Sequence, residues 1–156
     1  MSISDRIVVM KDGVVQQIGK PQTVYDDPAN LFVARFLGNP PINVFGGSVK
    51  GGKLYIGDAA VIDAPGVADA AVTVAVRPEG FLPAKDGALC CALQRVEIMG
   101  RDISVVCTHP DAQNPVVRAI IRAENSVNAA GAEVRFALDP RKVYLFDVDS
   151  GERIRL

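Results

Sequence analysis

With 156 residues, 49% of them apolar and 22% charged, the chain is long enough to bury one real core, with or without a small appendage. A net charge of −1 excludes the basic field of a nucleic-acid binder, and 6 Phe, 3 Tyr and no Trp give little to stack bases on. No apolar run approaches the roughly 20 residues of a membrane span, the N-terminus lacks an apolar signal core, and Cys90, Cys91 and Cys107 have no framework spacing, so the chain reads as cytoplasmic.

Arg6 to Met10 and Val14 to Ile18 are apolar runs separated by Lys11-Asp12-Gly13, a strong hairpin signal. An isolated two-stranded hairpin is marginal in water, so this one needs a body to pack on. Pro21 suits the first turn of a helix running to about Tyr25. Asp27-Pro28 predicts a second helix, with Asp27 as N-cap and Phe32, Val33, Phe36 and Leu37 forming one apolar stripe up to a stop at Gly38. Asn39-Pro40-Pro41-Ile42-Asn43 reads as a linker, because neither proline can donate to a helix or a ladder. The predicted organisation is therefore residues 1–38, a linker at 39–43, and a main domain at 44–156.

After the linker the chain is a series of short strands. They are predicted at Val44–Val49, Leu54–Ile56, Val61–Asp63, Val72–Arg77, Leu89–Ile98, Ile103–His109, Val116–Arg122, around Val134 to Leu138, at Val143–Phe146 and near Ile154. The pivot is Val72 to Glu79. Val72, Val74 and Val76 share one face, Thr73, Ala75 and Arg77 the other, and Pro78 ends the strand. Many short strands without long helices predict a barrel or sandwich.

Three stretches carry a resemblance. They are Met1 to Gly13; Gly19-Lys20-Pro21-Gln22-Thr23-Val24-Tyr25-Asp26-Asp27-Pro28-Ala29-Asn30 on through Phe36-Leu37-Gly38-Asn39-Pro40-Pro41-Ile42-Asn43; and Val76-Arg77-Pro78-Glu79 with Leu138-Asp139-Pro140 and Val143-Tyr144-Leu145-Phe146. In order and spacing these resemble the C-terminal part of the ATP-binding subunit of bacterial ABC importers for sugars, of the maltose and glycerol-3-phosphate type. The resemblance implies a mainly β fold: an OB-like regulatory barrel of the TOBE type, preceded by a hairpin and two short helices that end a nucleotide-binding domain. It implies a regulatory and dimerisation role, a homodimer, and membrane subunits and a cytoplasmic regulator as partners of the parent complex at the inner membrane. ATP and Mg would belong to the parent subunit. The alternative is a barrel that senses a small anion, with Arg118, Arg141 or Lys142 as donors.

The sequence contains no G-x-x-x-x-G-K-[ST] phosphate loop, and Gly51-Gly52-Lys53 fits a hairpin turn. The chain is thus read as supplying no catalytic group, cofactor site or metal site. His109 reads as a strand end beside Pro110. Cys90 and Cys91 are adjacent and point to opposite faces, which is wrong for a chelating pair. Arg77 and Glu79 are predicted either to pair at a strand corner or to meet a dimer or regulatory partner. Arg141 and Lys142, in the turn after Asp139-Pro140, read as a solvated loop, with a regulatory or dimer contact, or two cations holding an anion, as the alternative. The stripe Phe32, Val33, Phe36 and Leu37 is the predicted packing surface of the first 38 residues, against a second copy by preference or against the chain's own barrel.

Overall fold

The computed structural model describes residues 6–38, 40–122 and 132–155. Asn39 of the predicted linker and Gly131 lie outside them. The hairpin pairs β1 (Ile7–Lys11) with β2 (Val14–Gly19). Asp12 and Gly13 both have positive φ, 50° and 79°, the conformation of a two-residue turn that matches strand twist. Two short helices follow, α1 (Pro21–Asp26) and α2 (Leu31–Phe36). Val9 on the inner hairpin face joins Val24, Val33 and Leu37 in a small core.

Helix α2 starts later than predicted. Asp27 does not cap it: its backbone N–H closes α1 on Thr23 O, and its carboxylate accepts from Arg153 and Arg155. Asn30 is the N-cap, its side-chain oxygen accepting from the Val33 N–H at 3.0 Å. The shift rotates the apolar face. Val33, Ala34 and Leu37 are buried, while Phe36 is 58% exposed and lies beside the half-buried Phe32, with ring centroids 6.3 Å apart.

Residues 40–42 are outside helix and strand, but Asn43 already belongs to β3 (Asn43–Lys50). The main domain continues as β4 (Lys53–Ile56), β5 (Ala59–Asp63), β6 (Ala70–Val76), β7 (Phe81–Pro83), β8 (Leu89–Met99), β9 (Asp102–Thr108), β10 (Val117–Arg122), β11 (Glu133–Leu138), β12 (Val143–Asp147) and β13 (Arg153–Ile154). One sheet runs β13-β12-β6-β3-β4-β5, the other β10-β9-β8-β11-β7, and all pairings are antiparallel. Together they form a nearly closed OB-like barrel. Phe45, Val74, Phe81, Leu89, Val105, Phe136 and Leu145 from both sheets meet in one core.

Two contacts join the sheets at their edges. The loop after β9 lies along β3, with Gly46 N–H donating to Asp111 O at 2.9 Å and Gln113 N–H to Val44 O at 2.7 Å. The Asn43 side chain bonds both backbone groups of Arg118 on β10, accepting from its N–H at 2.9 Å and donating to its C=O at 2.8 Å.

Strand β6 departs from the half-buried pattern. Val72, Val74 and Val76 enter the barrel core as alternation predicts. The other face is covered too, because Ala75 packs under Ala34, Ile42, Tyr144 and Phe146. The first 38 residues thus fold back on their own barrel through α2, so a second copy is not needed to cover their inner face.

Candidate functional site

The junction between the N-terminal unit and the barrel concentrates the polar chemistry of the molecule. It is built around Arg77. β6 ends at Val76, and Pro78–Gly80 turns as a single 3-10 loop, so the next outward residue is held under the helices. The Arg77 side chain is fully buried. Its Nη1 donates to Ala34 O at 3.1 Å and Leu37 O at 2.9 Å, and Nη2 donates to Tyr25 O at 2.7 Å. These are carbonyls near the ends of α2 and α1, where helices leave acceptors unpaired and favour positive charge. The guanidinium lies 3.9 Å from the Tyr25 ring centroid and 5.7 Å from that of Tyr144. Nε is buried without a partner.

The predicted Arg77–Glu79 pair does not form. Arg77 spends its donors on main-chain carbonyls, and Glu79 accepts the Tyr25 hydroxyl at 2.8–2.9 Å. Nor can Arg77 reach another chain, since it has no exposed surface. Burial, reinforced by the bond to Glu79 and its charge, pushes the Tyr25 phenol up. Lys142 Nζ sits 3.8 Å from both Glu79 and Asp26, 29% exposed, and 5.9 Å over the Tyr25 ring. Tyr144 Oη donates to Asp26 O at 2.9 Å.

The C-terminal strand makes the second set of ties. Arg153 Nη1 donates to Asp27 Oδ1 at 3.0 Å and to Pro28 O at 2.8 Å, and Arg155 Nη1 bonds the same Asp27 oxygen. Hydrogen bonding from Arg155 is the main cause that holds the Asp27 carboxyl below its usual range. Leu31 N–H donates to Gly151 O at 2.9 Å, and Arg35 reaches Gln113 on the β9–β10 loop at 2.9 Å. Asp27 is therefore a tether. Arg153 and Arg155 escaped the sequence reading, although a spacing of two around Ile154 is the sign of one face of an extended strand.

Arg141 stands in the Pro140–Lys142 turn with an 87% exposed side chain and is paired to Asp139 at 3.1 Å. Arg118 lies on β10, away from the cavity that Arg141 lines with Arg153 and Arg155. His109 packs edge-on against Phe45, 5.7 Å between centroids, and its Nδ1 accepts from Asp111 N–H at 3.0 Å; burial lowers its pKa. Cys107 is buried in the core and points its thiol at Val117 O, so the two form no nucleophilic dyad. Cys91 is buried and Cys90 half-buried, in keeping with opposite strand faces. Among the described residues no group of three or more His, Cys, Asp or Glu could hold a metal ion, and no helix is long and apolar enough to cross a membrane.

Residues 74–146 match the family described as TOBE domain. The lactose transport ATP-binding protein LacK of Rhizobium radiobacter is 37% identical over 171 residues, which cover 99% of this chain and 46% of that protein. The sn-glycerol-3-phosphate import ATP-binding protein UgpC of Jannaschia sp. (strain CCS1) is 31% identical, with 99% of this chain and 43% of that protein covered. The oligosaccharides import ATP-binding protein MsmX of Bacillus subtilis (strain 168) is 32% identical, with coverages of 99% and 46%. The chain thus spans less than half the length of these relatives. Residues 74–146 are a TOBE domain, carried in a chain homologous over nearly its whole length to sugar and glycerol-3-phosphate import ATP-binding proteins.

Proposed function

We propose that this chain is the regulatory and dimerisation end of the ATP-binding subunit of an importer for sugars or glycerol-3-phosphate, with residues 1–38 closing that subunit's nucleotide-binding domain and residues 43–156 forming its barrel. The parent subunit couples ATP hydrolysis to uptake at the cytoplasmic side of the inner membrane, against the importer's membrane subunits. ATP and Mg are held by residues outside this chain, which contributes no catalytic group.

The observation that supports this reading is the outer face of the hairpin. Val8 opposes Ile18 and Met10 opposes Val15, and these four side chains are 50%, 56%, 49% and 48% exposed. Covering their exposed halves is worth on the order of 3–6 kcal/mol. A two-stranded hairpin with one face on α1 and α2 and an apolar face bare fits a chain whose relatives are more than twice as long. The test is amide exchange on this chain alone and joined to the remainder of an ATP-binding subunit. Slowed exchange at Val8, Met10, Val15 and Ile18 in the longer chain, with sedimentation as a dimer that is lost when residues 43–156 are removed, is the expected result. Unchanged exchange at the hairpin, or a dimer that persists without the barrel, sinks the reading.

A further inference from the structure

On the outer face of the β3–β6 pair, Val44 and Ala75 lie under the N-terminal helices. Beyond them the same face continues with Gly46 opposite Thr73 and Ser48 opposite Ala71. These small residues floor a trough of about 420 Å³, within the range of roughly 300–1,000 Å³ usual for small-molecule sites. The rest of its lining includes Asp111 and Gln113 from the loop after β9, Gly57 between β4 and β5, and Val148 after β12. We propose that this trough binds a neutral polyhydroxylated molecule, a sugar or sugar alcohol.

The polar groups are held in place but not used up. Asp111 O accepts from Gly46 N–H at 2.9 Å, and Asp111 N–H donates to His109 Nδ1 at 3.0 Å. Gly57 has φ 62°, and a Cβ there would lie 2.7 Å from Asp111 Oδ2, so the carboxylate occupies space that only a glycine leaves. Among the described residues that carboxylate accepts no hydrogen bond, and its one basic neighbour is His109 Nδ1 at 3.8 Å. Gln113 is fixed through its N–H on Val44 O at 2.7 Å and through Oε1, which accepts from Arg35 Nη2 at 2.9 Å. A guanidinium can only donate, so this bond identifies the amide oxygen and leaves Nε2 as an unspent donor. The Ser48 and Thr73 hydroxyls, each able to donate and accept, also have no side-chain partner among the described residues.

This mixture selects the ligand. Asp111 is the one charged residue of the lining, so the trough repels anions. A simple cation has no acceptor for Gln113 Nε2. A hydroxyl group can donate to the carboxylate and accept from the amide at once, and several on one carbon frame satisfy all four groups together. The C–H side of such a frame suits Val148, which is 56% exposed in a turn closed by Asp147 Oδ1 on the N–H groups of Asp149 and Ser150. The site is argued from this chain's own side chains, so its failure leaves the importer reading standing, and the failure of that reading leaves the site standing.

The experiment titrates the chain with D-glucose and follows amide NMR shifts, with trimethylamine N-oxide as the control for the general stabilisation that osmolytes give. Saturable shifts centred on residues 46–48, 71–73, 111–113 and 148, given by glucose and not by the control, are expected. Asp111→Asn keeps the size and the backbone bonds and should weaken binding about tenfold. Thr73→Val keeps the shape and should weaken it about threefold. Asp102→Asn, at the start of β9, should bind as the parent does. Melts of the variants without sugar separate lost binding from lost folding. Lactose binding more tightly than glucose extends the site over two rings, and equal binding limits it to one; either supports the site. No saturation by about 100 mM of either sugar, unaltered binding in both Asp111→Asn and Thr73→Val, or shifts of the same residues by putrescine and not by glucose, overturns it.

Discussion

The barrel and the N-terminal unit solve the burial problem differently. The barrel closes two sheets on a core that draws side chains from nearly every strand, and outside it few large apolar groups are left in water. The N-terminal unit has four fully placed core residues, Val9, Val24, Val33 and Leu37, yet it holds six of the ten large apolar side chains that are exposed among the described residues. A self-sufficient body sits next to one that borrows its stability, first from the barrel beneath it and then, in the proposed parent subunit, from a second neighbour. The difference shows why the junction is dense in polar bonds: helices of six residues have too little apolar surface to hold themselves in place.

The largest way to break this contrast is to empty the barrel. Phe136 is fully buried and packs edge-on to Phe81 at 5.2 Å. Phe136→Ala should cost about 3–5 kcal/mol by urea unfolding and take both regions down together. A smaller change should separate them. Arg77→Met keeps volume but leaves the carbonyls of Tyr25, Ala34 and Leu37 without their donor. With about 1–3 kcal/mol for each buried group left unpaired and water repairing some of them, a loss of about 3 kcal/mol is expected. Amide protection should vanish first in residues 21–37, and equal loss across both regions would show that the junction is not a separate unit.

Val8→Thr with Ile18→Thr sharpens the comparison from the other side. In this chain alone the pair should shift stability by no more than about 0.5 kcal/mol, because both positions already face water. A loss above 2 kcal/mol would mean that the outer face is already covered here. The smallest expected effect is titration of His109. Its folded pKa lies below the ordinary 6.5 because burial disfavours the imidazolium. Unfolded chains then bind more protons below that value, so the stability is complete above about pH 6.5 and falls as the pH drops toward the folded pKa. His109→Gln should flatten that slope in a pH series of melts, and an unchanged slope would remove His109 as its source.

Most of the strand order was legible, because alternation of apolar residues is a local signal and the barrel obeys it. Strand β7 was not, since Phe81-Leu82-Pro83 is three residues ending in a proline that pairs only as an edge of β11. The Asp27-Pro28 pair looked like a helix start. The true cap, Asn30, carried the same kind of signal three residues before Val33. What alternation cannot tell is what covers a strand's second face. Arg77 lies in phase with Thr73 and Ala75, which suggests solvent, and it is α1 and α2, arriving from about 40 to 52 residues away, that make that position interior. The same holds for Arg153 and Arg155, whose partner Asp27 is more than 120 residues distant in the chain.

The Asn43 side chain carries a consequence for assembly. Strand β10 is the last of its sheet, and an unpaired edge is a template on which another chain can add a strand. At Arg118 that template is already taken: one carboxamide occupies both the amide and the carbonyl that an incoming strand would need. An incoming strand therefore finds no free backbone pair at Arg118, and a second chain that meets β10 at this position does so through side chains rather than through a continued ladder.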